Sequence, residues 1–296
     1  MTDRLRACSI SRAVAERLPG TPAAGLVLAV FERACLLVPS TEWSEPVALV
    51  ANVIGNGPLN VVLDGQVRAF AGLDPGAPAT LARDHLCAGP LAVDLSAAPT
   101  WEPRPDWEML RTSWLPTRHR LGALRNAALR AAPAGSLLAL FDGGATWQPE
   151  QQSTLLAVRQ AARALAAGWA GDGQALVRGA RHLAGLGGGL TPAGDDFLAG
   201  FMLRAWLAHP SPADLCHDAS TAAAPRTTTL AAAFVRAAAR GECSAPWQTL
   251  LRALASGEGE AWIEAMDGVL AHGCTSGADM LAGFLWETRD LIMSKE

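Results

Sequence analysis

The hydrophobic pattern of this chain changes period near residue 100, and no other feature limits the fold so strongly. Between Ala24 and about Leu95 the apolar residues come in short runs: Leu26 to Phe31, Cys35 to Val38, Val47 to Ile54, Leu59 to Leu63 and Val67 to Phe70. Runs of this length between turn formers read as strands. Asp64-Gly65 is a hairpin signal between the last two, and Gly55-Asn56-Gly57-Pro58 is a turn by composition. Residues 1–106 are therefore expected to form a β-rich domain, a small β-barrel or sandwich, with Pro99 to Pro105 as a linker. From Trp107 the chain becomes rich in Ala, Leu and Arg at helical spacing, as in Leu121, Leu124, Ala128 and Leu129. Helices are predicted at 111–131, 150–168, 173–185, 194–208, 226–240, 246–255, 260–271 and 278–292. Residues 107–296 thus form a mainly α-helical domain, and the fold class is α+β.

Charge narrows the function. Lys plus Arg number 24 and Asp plus Glu 28, a formal charge of -4, so the basic excess that neutralises nucleic-acid phosphates is missing. Charged residues make up 18% of the chain, against about 25% in an average soluble domain. Such a surface leans on small residues or is covered by partners, and subunit contacts are expected. The six cysteines are far apart without C-x-x-C spacing, which reads as reduced thiols in an intracellular protein. The early apolar run from Ala23 to Phe31 is too short to span a bilayer and ends at Glu32-Arg33. No membrane span or export signal is expected, and the localisation is read as cytoplasmic.

The densest chemistry lies at Gly185-Leu186-Gly187-Gly188-Gly189-Leu190-Thr191-Pro192-Ala193-Gly194-Asp195-Asp196. Thr191 before Pro192 is the expected N-cap, with Pro at the first helical position. A helix start behind a glycine nest offers N–H groups to an anion, so Gly187, Gly188, Gly189, Thr191 and Gly194 are substrate-binding candidates. A nucleotide P-loop is excluded because Asp195 stands where Lys is required, and Leu190 spoils a dinucleotide fingerprint. Asp195 and Asp196 have three readings: they stabilise the helix end and turn, they accept hydrogen bonds from a substrate amide or amine, or they bridge magnesium to phosphate with Asp279. Donor recognition is preferred to the metal, and no cofactor is assigned.

Residues 194–201, GDDFLAGF, match residues 277–284, GADMLAGF, at six of eight positions. Close helix crossing explains the shared Leu-Ala-Gly-Phe; it explains the Thr and Asp less well. If the two starts pack about a pseudo-twofold axis, Asp196 and Asp279 face one cleft, with Thr275, Ser276 and Gly277 as further binding candidates. His272 there is a capping or surface residue before it is a proton carrier, and Cys274 a small apolar residue before it is a nucleophile. Arg226 and Thr227, after Pro225, suit a phosphate or carboxylate, with Thr228 left open and one Thr as an N-cap. Asn56 and Asn60 flank a Gly-Pro turn, which ordinary turn stabilisation explains first.

The run 185–200 resembles the signature of a bacterial family that includes the third subunit of oxamate carbamoyltransferase, from anaerobic allantoin breakdown. Asn56-Gly57-Pro58-Leu59-Asn60, Arg226-Thr227-Thr228 and Thr275-Ser276-Gly277-Ala278-Asp279 are similar to its other recurring segments. The chain departs from that pattern at Gly188, where Pro is usual, and at Ala193, where Ser is usual. The resemblance implies one subunit of a three-component enzyme interconverting oxalurate plus phosphate with oxamate plus carbamoyl phosphate. It implies two further protein subunits as partners and small anionic substrates; the transfer chemistry then suits Asp195, Asp196 and Asp279 as catalytic residues, with substrate binding by the residues named above, Asn56 and Asn60 included. A noncatalytic assembly module and a metal-dependent hydrolase with a helical Asp cluster are the alternatives.

Overall fold

The computed structural model describes residues 4–40, 45–64, 70–142, 149–256 and 259–286. It divides into two compact units, Met1–Pro103 and Arg104–Glu296. In the first, the apolar runs become strands β1 (Arg4–Ser11), β2 (Ala23–Val30), β3 (Ala34–Pro39), β4 (Val47–Ala51), β5 (Asn60–Asp64), β6 (Pro78–Leu81), β7 (His85–Ala88), β8 (Leu91–Asp94) and β9 (Thr100–Trp101), with one short helix, α1 (Arg12–Ala15). Eight strands run in the order β5-β4-β3-β2-β6-β7-β8-β1, and β1 pairs antiparallel with β5, so that Ala7 faces Leu63 and Ile10 faces Val61. The sheet closes into a barrel, which removes the exposed edges an open sheet would leave. Register shifts at Ala7/Ser9 and Val27/Ala29 bend the strands toward closure. Val27, Leu37, Leu49, Val61, Leu63, Leu81, Leu86 and Val93 fill the interior, each almost wholly buried.

The expected linker is partly strand. Thr100 and Trp101 pair with Ile10 and Ser11, the Ile10 N–H donates to Pro99 O, and Arg12 forms an ion pair with Glu102 at 2.6 Å. The turn between β4 and β5 is present. The Asp64-Gly65 hairpin and the strand from Val67 fall largely at 65–69, outside the described residues; Phe70 is buried in a turn.

The second unit holds α2 (Trp107–Thr117), α3 (Arg120–Ala131), α4 (Pro149–Trp169), α5 (Gly173–Leu183), α6 (Ala193–Ala208), α7 (Pro212–Ala223), α8 (Thr229–Ala239), α9 (Ala245–Ser256), α10 (Ala261–Leu270) and α11 (Ser276–Leu285). Short 3-10 turns at Leu137–Phe141 and Ala224–Arg226 join them. Two expectations are corrected. The helix predicted over 111–131 is two helices: Pro116 has no N–H to continue the ladder, and the chain turns at Arg118-His119. Helix α7 was not expected at all, although Ser211-Pro212 is a fair start signal and Leu215, Cys216, Ala219, Ala222 and Ala223 make its buried face.

Helix α6 is apolar on nearly all sides and runs through the core, as such a helix must. Its main neighbour is α11. A Cβ at Gly200 would fall on the Met280 carbonyl, and a Cβ at Gly283 on the Phe197 carbonyl, so the backbones touch where only glycine fits. The contact is reciprocal: Met280 and Phe197 are counterparts in the repeat, and so are the two glycines. A local twofold therefore relates α6 and α11. Phe197, Phe201 and Phe284 surround the crossing, fully buried.

Candidate functional site

The crossing brings the starts of α6 and α11 together. Thr191 Oγ1 lies 3.1 Å from Ser276 Oγ, a hydrogen bond from one corner to the other. A hydrogen bond with Ser276 favours the charged form of Asp196. Either hydroxyl of the Thr191–Ser276 pair can be the donor, so Thr191, Ser276 and Asp196 form one polar line without a fixed direction. This replaces the expected cap. The N-cap of α6 is Pro192, not Thr191, the helix begins at Ala193, and no side chain caps it.

The first turn is partly closed to ligands. Gly194 N–H donates to Leu186 O at 2.9 Å and Asp195 N–H to Pro192 O at 2.9 Å; in α11, Gly277 N–H donates to His272 O at 3.0 Å. A Cβ at Gly194 would collide with Leu183 O, and one at Gly277 with Val269 O. These two glycines seat each helix on the end of the preceding one. Gly187 (φ +116°) has its own reason, since a Cβ there would stand 2.9 Å from Ala193 N. Gly187, Gly188 and Gly189 are exposed, which leaves N–H presentation at this start to the glycine loop.

The segment after α7 is sewn to the same corner. Thr227 Oγ1 donates to Asp195 Oδ2 at 2.6 Å, and Gly185 N–H donates to the same oxygen at 3.0 Å. Thr228 is the N-cap of α8, accepting from Ala231 N–H at 3.1 Å, while its hydroxyl donates to Leu190 O at 2.5 Å. The helix thus starts at Thr229, later than Arg226; Arg226 closes a 3-10 turn and is exposed beside the glycine loop. Thr228, left open by sequence reasoning, is the residue that caps.

Burial grades across this cluster. The glycine loop is exposed; Thr191, Asp196, Thr275 and Ser276 are half-buried; Asp195 and Asp279 are 2% and 1% exposed. Asp279 Oδ1 accepts the Leu137 N–H at 2.6 Å, and the Thr275 hydroxyl also donates to Asp279. Sequence reasoning missed Leu137, because a backbone N–H leaves no mark in composition.

Each carboxylate has one oxygen buried without a protein partner: Asp195 Oδ1, Asp196 Oδ2 and Asp279 Oδ2. Burial raises the pKa of Asp195, against the hydrogen bonds from Thr227 and Gly185. Asp196 is pushed well above the usual carboxylate range by burial and by the charges of Asp279 and Asp195, against the Ser276 bond. Burial lifts Asp279 to about 6, against Leu137 and Thr275. Three carboxyl groups so placed cannot all ionise at neutral pH without cost, and their open oxygens suit a ligand rich in hydrogen-bond donors. Among the described residues, no group of three or more His, Cys, Asp or Glu side chains is disposed to hold a metal ion. His272 and Cys274 are exposed at the α11 corner.

Asn56 and Asn60 lie in the barrel unit. Asn56 Oδ1 accepts from Ser9 Oγ at 2.6 Å, and Asn60 Nδ2 donates to Gly55 O at 2.8 Å. These bonds hold the turn between β4 and β5.

Among the described residues no helix is long and apolar enough to cross a membrane. No solved structure matches the chain significantly. A model described as the AllH family N-terminal domain matches residues 6–100, the barrel. A second, oxamate carbamoyltransferase subunit AllH, matches residues 183–288, which include both glycine-aspartate corners. With most of its length covered by the two, the chain belongs to the AllH family of oxamate carbamoyltransferase subunits.

Proposed function

We propose that this chain works in the cytoplasm with two further subunits as an oxamate carbamoyltransferase, and that its paired corners hold the reacting compounds. The observation that carries this reading is the Thr191–Ser276 bond, which joins the two motif copies around three carboxyl groups with open oxygens. Phosphate is held by the exposed N–H groups of Gly187, Gly188 and Gly189 and by Arg226. The carbamoyl NH2 donates to the open oxygens of Asp195 and Asp196.

In the phosphorolytic direction a phosphate oxygen attacks the carbamoyl carbon of oxalurate, and the bond from that carbon to the oxamate nitrogen breaks. The nitrogen needs a proton, and the attacking hydrogen phosphate gives one up. Asp196 suits the transfer. Its Oδ2 is buried without a protein partner and its carboxyl is pushed well above the usual range, so this oxygen can carry the transferred proton. A neutral Asp196 also lessens repulsion of the anionic substrates.

The test is copurification of the chain with its two companion subunits and assay of phosphate-dependent oxalurate cleavage. Turnover that falls on the order of a hundredfold in Asp196→Ala, with assembly intact, is the expected result. Unchanged turnover in that variant sinks the site; no turnover in the wild-type assembly sinks the activity.

A further inference from the structure

One polar group beside the cluster is used by none of these roles. Ser136 is 2% exposed, and its Oγ is buried without a partner. It ends a tight turn: Ser136 N–H donates to Pro133 O at 3.2 Å, and Gly135 takes φ +87°, the geometry of a type II turn with glycine at its third position. The next residue is Leu137, whose N–H is fixed to Asp279 Oδ1. Covalent geometry then keeps the Ser136 hydroxyl within about 9.5 Å of Asp279 Oδ2, another buried atom without a partner.

We propose that Ser136 and Asp279 together recognise the primary amide end of a substrate, its carbonyl taking the serine proton and its NH2 donating to the aspartate oxygen. This deepens the carbamoyltransferase reading and rests on it for the identity of the amide. The reasoning is a matching of donors and acceptors. A hydroxyl free to donate, set near a carboxylate able only to accept, complements the C=O and N–H of a carboxamide. A carboxylate ligand in the same place would meet Asp279 as a like charge. The pair therefore selects an amide over the corresponding acid, and the turn Pro133-Ala134-Gly135-Ser136 is a specificity element outside the glycine-aspartate motif. Leaving both atoms empty would bury two polar groups unsatisfied, which folded proteins avoid.

The test compares oxamate with oxalate, which differ by an amide against a carboxylate. Thermal shift and calorimetric titration of the full chain, alone and in the three-subunit assembly, are expected to show binding of oxamate in preference to oxalate. Ser136→Ala should weaken oxamate on the order of tenfold and leave oxalate unchanged. Asp279→Asn keeps an oxygen for Leu137 and Thr275 but presents NH2 outward, so it should narrow or invert the preference. An assembly inactive toward oxalurate that still prefers oxamate removes the proposed activity and leaves this inference standing. Equal binding of the two compounds, or an oxamate affinity unmoved in Ser136→Ala, overturns the inference whether or not the assembly turns over; the hydroxyl then serves only a buried water.

Discussion

At the start of α6, Gly194 donates its N–H back to the preceding loop and rests on the end of α5; at the start of α11, Gly277 does the same with its own loop and the end of α10. Farther along, Gly200 and Gly283 exchange equivalent contacts across the crossing. The backbone scaffold is thus repeated. The polar chemistry is not. Asp196 is held from the opposite corner by Ser276, whereas its counterpart Asp279 is held by a distant 3-10 turn and by Thr275 of its own corner. Asp195 has no acidic counterpart, since Ala278 stands there. Small residues at the crossing follow from packing and need no functional reason; the carboxylates, where the symmetry breaks, do.

The largest expected effect tests the shared scaffold. Gly200→Ala and Gly283→Ala each force a Cβ onto a carbonyl oxygen in a filled core, which costs roughly 3 kcal/mol or more. Urea denaturation should give similar losses for the two. A large loss in one and none in the other would break the twofold comparison.

The next tests the difference. Asp279 titrates at about 6 in the folded chain, against 3.8 for the ordinary group, so the native state holds its proton more tightly than the unfolded state. Its contribution to stability is fully present below pH 3.8 and is lost as pH rises through 6. The loss amounts to about 3 kcal/mol. Asp279→Asn keeps the shape and cannot ionise. It should therefore unfold at a higher temperature than wild type at pH 7.5, lose that advantage near pH 4, and turn over on the order of a hundredfold more slowly in the assembly. A variant less stable than wild type at pH 7.5 would show that Asp279 is there for the fold.

Arg226→Ala sharpens the view of the open rim. The side chain is exposed, so thermal stability should stay within about 0.5 kcal/mol. The phosphate KM of the assembly should rise about tenfold, with a smaller change in kcat. A changed melting temperature with an unchanged KM would reassign the residue to structure.

What the sequence disclosed divides along the same line. Strand-forming runs and helical spacing are local, so the barrel and the helical unit were legible, as was the glycine loop. Helix α7 was legible as well: Pro212, Leu215, Cys216, Ala219, Ala222 and Ala223 keep helical spacing with only Ser220 among them, and Asp214, His217 and Asp218 lie on the exposed face, but its short, alanine-rich stripe carries a weak signal. Thr191 looked like a cap because Thr-Pro is a local signal, but a tertiary partner, Ser276, took the hydroxyl. The meeting of Leu137 with Asp279 spans 142 positions and uses a backbone N–H, which no spacing rule detects. Motif reading named the carboxylates and, as binding candidates, Thr227, Thr275 and Ser276 beside them; it missed the backbone N–H groups of Gly185 and Leu137 that also hold them.

The smallest expected effect concerns the bond between the corners. Thr191→Val removes the hydroxyl and nearly preserves volume, so its cost should be about 1 kcal/mol in denaturation. The single variant cannot separate the bond from local strain in the loop. Ser276→Ala alone should cost more, because it also takes a hydrogen bond from Asp196. In the double variant the Thr191–Ser276 bond can be lost only once, so the combined loss should fall short of the sum by about 0.5–1 kcal/mol. Strict additivity would mean that the two hydroxyls act separately. The corners would then be joined by the glycine crossing alone, and the α11 corner would have no hold on the glycine loop beyond the packing of its helix.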